Sequence, residues 1–148
     1  MSKAMTVQLD DGQYERLQRE AERLGRQPAE VVAQLVEERL RESEFPDIEF
    51  RDTSVGRQAF LRGTRIKLWM FAIIARAYRG DGDVEGIRER LVIPAHEVQE
   101  GLRYVDRYGE EIDAAIAENE RAKLRLKEIL PDIIIKDFDP DGTDASPP

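Results

Sequence analysis

Six cations crowd one stretch of this chain: Arg57, Arg62, Arg65, Lys67, Arg76 and Arg79, with no aspartate or glutamate from Thr53 to Gly80. Guanidinium and ammonium groups at that density serve one of three chemistries. They meet phosphate, since Arg and Lys contacts to the backbone dominate affinity for DNA. They pair with acids of the same fold. Or they line a groove for an acidic partner protein. The surroundings sharpen the question, because the whole chain carries −8: residues 1–44 are −3, residues 45–80 are +4, residues 81–120 are −8 and residues 121–148 are −1. Such a balance opposes indiscriminate binding to polyanions, and its distribution matters more than its total.

Other chemistries are poorly served. There is no cysteine, which excludes disulfides, thiolate nucleophiles and sulfur-bound zinc. His96 is the lone histidine, so neither a histidine-built metal site nor a Ser-His-Asp triad is expected; it reads as a surface or capping residue. "DFDPDG" opens like a calcium loop with Asp137, Asp139, Asp141 and Gly142, yet the twelfth position, which needs a bidentate glutamate, is Pro148. The many other acids, such as Glu37, Glu38, Glu110 and Glu111, sit at solvated helical positions with no nucleophile or phosphate loop beside them. No catalytic residue, metal site or cofactor is therefore expected, and a metal-dependent nuclease is the weak alternative. No apolar run approaches the roughly eighteen residues of a membrane span. With no signal-peptide core at the N-terminus, a cytoplasmic protein is the expectation.

The elements that must position these residues follow from periodicity. In "MTVQLDD", Met5, Val7 and Leu9 alternate with Thr6 and Gln8, the mark of a short half-buried strand. Asp10 or Asp11 caps a helix in which Tyr14, Leu17, Ala21 and Leu24 share a face, and Gly25 sits at its left-handed C-cap. Gln27, Pro28 and Glu30 begin a second helix, with Val31, Val32, Leu35, Val36 and Leu40 on its apolar side. A lone strand cannot satisfy its backbone and two helices cannot bury an apolar face, but two copies pairing their strands would do both.

After Pro46, "IEFRD" and "QAFLRGTRIKL" read as strands with turns at "SVG" and "RGT". "WMFAIIARAYRG" is an apolar helix in which Trp69, Met70 and Phe71 are core residues. A short helix over "DVEGIRERL", capped by Asp81 or Asp83, a turn at "VIP", and a helix over "AHEVQEGLRYVDRYG" complete a homeodomain-like bundle with helix-turn-helix spacing. Val98, Leu102 and Val105 form the buried side of that last helix. Its Glu97, Glu100 and Asp106 are poor chemistry for meeting phosphate. A further helix runs to Pro131, with Ile112, Ile116, Leu126 and Ile129 on one face. Then come "DIIIKDF", of strand character, and a polar tail expected to be disordered. The isoleucine run either completes a core or captures a partner.

Residues 5–42 resemble the ribbon-helix-helix family, in which a two-stranded ribbon enters the DNA major groove. The resemblance implies that Thr6 and Gln8 face base edges, with Lys3 and Ala4 at the margin. It also implies that the helix start at Gln27 and Pro28 faces a phosphate. Residues 46–118 resemble the bacterial family known as domain of unknown function four-three-three, on the "RGTRI" of Arg62 to Ile66 and on Gly101, Leu102 and Tyr104 in the helix that follows the turn. That family is regarded as the antitoxin of a VapB-like toxin–antitoxin system.

The expectation is a mainly α-helical homodimer, or higher oligomer, in three segments. Residues 1–44 form a ribbon-helix-helix segment of one strand and two helices. Residues 45–118 form a homeodomain-like helix-turn-helix domain with a short β-hairpin. Residues 119–148 form a helix and tail. The resemblance implies an antitoxin and autorepressor that binds operator DNA through Thr6, Gln8, Gln27, Arg57, Arg62, Arg65 and Lys67. It would hold a PIN-type ribonuclease toxin through Ile133, Ile134, Ile135 and Phe138. The alternative is a dimeric protein-interaction or scaffold module indifferent to DNA.

Overall fold

A computed structural model of the protein describes residues 1–78 and 83–136. Arg79, Asp81, Phe138 and the calcium-like run lie outside the described residues. The chain divides into two compact units, Met1–Glu44 and Phe45–Pro148.

In the first unit, α1 (Asp11–Leu24) opens on a capping box: the Asp10 carboxylate accepts from Gln13 N–H at 2.7 Å, and Gln13 accepts from Asp10 N–H at 3.0 Å. It ends at Gly25, whose φ of 62° lets its N–H reach Glu22 O while Arg26 N–H bonds Ala21 O. That is the Schellman arrangement glycine favours. α2 (Pro28–Glu44) places proline at its first position, and the Gln27 carbonyl accepts from Glu30 and Val31 N–H. Glu30, in the position of a capping-box acid, pairs instead with Arg26 at 3.5 Å.

Ala21 and Val31 are buried within this helical pair, while Val32, Leu35, Val36 and Leu40 remain exposed. Residues 1–10 form no strand, and Met5, Val7 and Leu9 are likewise exposed. The expected strand is thus missing from the single chain. A strand needs a partner ladder for its N–H and C=O groups, and none of the described residues supplies one.

The second unit begins with a hairpin. β1 (Ile48–Thr53) pairs antiparallel with β2 (Gly56–Leu61), Ile48 opposite Leu61 and Asp52 opposite Arg57. Thr53 Oγ1 closes the turn, donating to Gly56 O at 2.7 Å and accepting from Val55 N–H. Four helices follow: α3 (Leu68–Ala77), α4 (Val84–Leu91), α5 (Ala95–Arg107) and α6 (Gly109–Ile129). α4 is capped by Asp83, which accepts from Gly86 N–H at 2.8 Å. Residues 92–94 carry the chain from α4 to α5, with Val92 at φ 56°. A β-branched residue is rarely found in that region, and the strain is worth about 1–2 kcal/mol.

The core unites Ile48 and Leu61 of the hairpin with Phe71 and Ile74 of α3, Ile87 of α4, Val98 and Tyr104 of α5 and Ile112 of α6. Phe45 and Tyr104 meet edge to face at 5.2 Å, and Tyr108 packs against both. α3 is apolar nearly all round because the hairpin, α5 and α6 all contact it. α6 runs unbroken across position 118, so the expected boundary there falls inside a helix. Residues 131–136 form a turn and irregular chain rather than a strand, with Ile133 N–H bonded to Leu130 O. The residues described there offer no sheet edge to extend.

The protein is thus mainly helical with one small antiparallel hairpin among the described residues. No helix among them is long and apolar enough to cross a membrane.

α3 and α5 approach closely at Gly101, where an added Cβ would lie 2.6 Å from Phe71 Cζ. Phe71 is wholly buried and cannot swing away. Gly101→Ala is therefore expected to destabilise the protein by roughly 1–3 kcal/mol, read as a lower urea midpoint; an unchanged midpoint would refute the packing described.

Candidate nucleic-acid interface

The basic stretch is largely occupied within the second unit. Arg62 donates from Nε to Pro46 O at 2.7 Å and from Nη2 to Ile48 O at 2.9 Å. Its backbone N–H bonds Asp47 O at 2.7 Å, and Glu49 lies 3.8 Å from its guanidinium. Arg57 pairs across the hairpin with Asp52 at 3.3 Å, and Arg76 joins α3 to α6 through Asp113 at 2.7 Å. Arg51 lies over the Phe60 ring at 3.9 Å and donates to the Thr64 carbonyl. Intramolecular pairing therefore accounts for Arg57, Arg62 and Arg76. Arg65 is exposed and has no partner among the described residues. Lys67 is half-buried, its ammonium 5.9 Å from the Trp69 ring centre.

The turn that carries Arg65 is built by its own residues. Gly63 adopts φ 72°. Thr64 Oγ1 donates to Leu61 O at 2.8 Å and accepts from Ile66 N–H at 3.0 Å, and Leu61 N–H returns to Ile66 O. "RGTRI" is thus a closed loop leading from the hairpin into α3.

α5 presents a different face from the one its sequence implies. Val98, Gly101 and Tyr104 are buried, and Leu102 and Val105 only partly so. Gly101 and Tyr104, two residues of the resemblance, therefore lie inside. This rotation turns Glu100 inward, where it is buried, and half-buries Glu97. The exposed positions are Ala95, His96, Gln99, Arg103, Asp106 and Arg107, with a single acid near the helix end. The conflict between this helix and phosphate is correspondingly smaller than composition implies. Arg103 lies 5.2 Å from the Phe45 ring centre.

The inward acids meet Asp47. His96 Nδ1 lies 2.8 Å from Asp47 Oδ2, and Glu100 hydrogen-bonds Asp47 through its side chain. Burial, the Asp47 hydrogen bond and the Asp47 charge raise the pKa of Glu100. Burial also pushes Asp47 upward, but hydrogen bonds from Glu100 and His96 and the charges of His96 and Arg62 outweigh it and hold Asp47 below its ordinary value. Glu97 is raised by burial first and by the Asp47 charge second. His96 is raised by its hydrogen bond to Asp47, assisted by the charges of Asp47, Glu97 and Glu100. Glu97 Oε2 and Glu100 Oε1 are buried without hydrogen-bond partners.

Among the described residues no three His, Asp or Glu side chains are placed to hold a metal ion. A pocket of about 170 Å³ lies between the hairpin, α3 and α6, lined by Phe50, Gln58, Leu68, Trp69 and Ile112. Tyr104, Glu111 and Arg57, with Gln58, supply its polar groups.

Thr6, Gln8 and Gln27 belong to the first unit, and all three are exposed. Ile133 and Ile134 are exposed and Ile135 is half-buried. His96 is a surface residue, as its sequence reading had it, but its place beside Gln99 on the exposed face of α5 was not foreseen. The available signal was the Val98, Gly101, Tyr104 and Tyr108 spacing, which places both on the opposite side of the helix. No protein-family model, curated protein or solved structure matches the chain, so its own residues carry the functional reading.

Two outcomes follow from this geometry. Arg62→Ala strips the donors from two backbone carbonyls and is expected to lower stability by about 1–2 kcal/mol in denaturant titration, whereas Arg65→Ala stays within about 0.5 kcal/mol. Equal effects would refute the division between a structural and an exposed arginine.

His96 should titrate above the ordinary histidine value of 6.5 by NMR, and Asp47→Asn should bring it down. Its share of stability is full below the unfolded histidine pKa and is lost as pH rises through the higher folded one. The Asp47 share is full above its unfolded value and is lost as pH falls through the lower folded one. A His96 pKa indifferent to Asp47→Asn would contradict the pair.

Proposed function

We propose that the protein is a homodimeric, DNA-binding antitoxin that represses its own operator and neutralises a ribonuclease toxin, of the PIN type by the family resemblance. The observation that carries the DNA-binding part is the α4–turn–α5 pair. Its second helix turns Glu97 and Glu100 away from solvent and leaves His96, Gln99 and Arg103 exposed. In a helix-turn-helix the second helix lies in the major groove, where glutamine and arginine side chains read base edges. Arg65 and Lys67 then supply phosphate contacts. Cytoplasmic operation accords with that role.

Dimerisation is supported by what the first unit leaves uncovered. Met5, Val7, Leu9, Leu35, Val36 and Leu40 are all exposed, and the backbone of residues 5–9 has no ladder. A second copy pairing its own residues 5–9 antiparallel would supply the ladder and cover the α2 face. Thr6 and Gln8 would then stand on the outward side of the ribbon, with Gln27 at the start of α2. Each large apolar side chain fully covered contributes about 1.5–3 kcal/mol.

Toxin capture is supported by the far half of α6, where Leu124, Leu126 and Ile129 are exposed, and by Leu130, Ile133 and Ile134 beyond it. The same stripe, with Arg62 committed to backbone carbonyls of its own fold, favours the second reading, a dimeric interaction module without DNA contact.

A duplex spanning the DNA immediately upstream of the gene separates the two. The dimer is expected to bind it with an affinity that falls steeply with salt, and Arg65→Ala with Lys67→Ala should lower the salt slope by about two. The ribonuclease encoded beside it should lose activity when mixed with an equimolar amount. A protein that sediments as a monomer and leaves the duplex unshifted would overturn the proposal.

A further inference from the structure

His96 occupies the first turn of α5 with its side chain 65% exposed, and Asp47 holds one ring nitrogen at 2.8 Å. An ionised carboxylate only accepts, so Nδ1 carries a hydrogen and Nε2 is the atom left for another partner. In the neutral ring Nε2 is an acceptor. In the charged ring it is a donor. A phosphate oxygen also only accepts, so only the charged ring can hydrogen-bond it.

We propose that His96 is a proton-gated phosphate contact: Asp47 positions the imidazole on the exposed face of α5, and Nε2–H donates to the DNA backbone when the ring is charged. The proposal rests on the DNA-binding reading of α4 and α5 and extends it to a residue that the basic stretch does not include.

The charged neighbours are consistent with a cationic ring. Asp47 faces His96 from the segment before β1, and Glu97 and Glu100 act on it from its own helix. Arg62, from the turn after β2, acts on Asp47, and Arg103 acts on Glu100. Asp47 is fixed in turn, because its carbonyl accepts from Arg62 N–H while the Arg62 guanidinium holds the carbonyls on either side of it. Asp47 is thus a positioning residue and His96 the contact. Binding then takes up a proton, so affinity strengthens as pH falls through the histidine range.

The experiment uses the full chain and the fluorescently labelled upstream duplex at constant ionic strength, with Kd read by anisotropy from about pH 5.5 to about pH 8.5. Above the His96 pKa, Kd is expected to rise by up to about tenfold per pH unit. His96→Gln keeps a polar side chain but does not titrate. It should flatten the profile and leave the high-pH Kd within about twofold. Asp47→Asn retains an acceptor but removes the charge, and it should move the profile to lower pH.

A wild-type Kd independent of pH overturns this proposal alone. So does a slope that survives in His96→Gln, which would assign the proton to Glu97 or Glu100. A chain that binds no duplex at any pH overturns the DNA-binding reading and this proposal with it. Far-ultraviolet circular dichroism of each variant ensures that lost binding is not lost fold.

Discussion

Arg62 is the knot of the second unit. Its guanidinium holds the carbonyls of Pro46 and Ile48, and its backbone N–H holds that of Asp47. Three consecutive residues at the start of the unit are thereby pinned to the turn that ends the hairpin. An irregular segment cannot satisfy its own carbonyls, and a planar guanidinium supplies several donors in a fixed fork. Once Asp47 is held, its carboxylate stands where His96 and Glu100 of α5 reach it. One side chain thus sets the relation between the hairpin, the closed turn and the exposed helix.

Charge is sorted by depth rather than by position along the chain. α5 reads as a mixed-charge helix, yet two of its acids lie on the side that meets Asp47, where burial and the Asp47 charge raise their pKa values. What remains exposed is one imidazole, one amide and two guanidinium groups against one carboxylate. The hairpin arginines stay at the surface and are paired there. Arg57 and Arg62 stand among the most cationic residues of the sequence but are paired within the fold. A polyanion would therefore meet fewer cations than the sequence counts.

Local signals were legible wherever one residue type decides one geometry. Asp10, Gly25, Pro28 and Asp83 each mark a helix end, and the hairpin and its turns fall where "SVG" and "RGT" place them. What could not be read depends on contacts distant in sequence. The rotation of α5 follows from Phe71 filling the space that Gly101 leaves, a fit between residues thirty apart. Choosing Leu102 over Tyr104 as an inward residue was enough to swing Glu97 and Glu100 outward in the sequence reading. Arg62 was unreadable for a similar reason, because its acceptors are carbonyls, which every sequence possesses. The candidate site was thus half visible: Arg65 and Lys67 from composition and His96 as a surface residue, but its pairing with Asp47 and its neighbour Gln99 only from packing. At residues 5–9 alternation alone was misleading for a single chain, since it describes a surface and not the neighbour that must cover it.

α6 has a consequence of its own. Its first half is anchored by Ile112 and Ile116, while past Asn119 the same rod carries Leu124, Leu126 and Ile129 in solvent. A few turns of helix without tertiary cover are only marginally stable in water. The rod should therefore unwind from its open end, where proteases prefer to cut, and unwinding halts where the anchoring isoleucines begin. A chain laid over Leu124 and Ile129 would supply the cover these turns lack among the described residues and hold them wound.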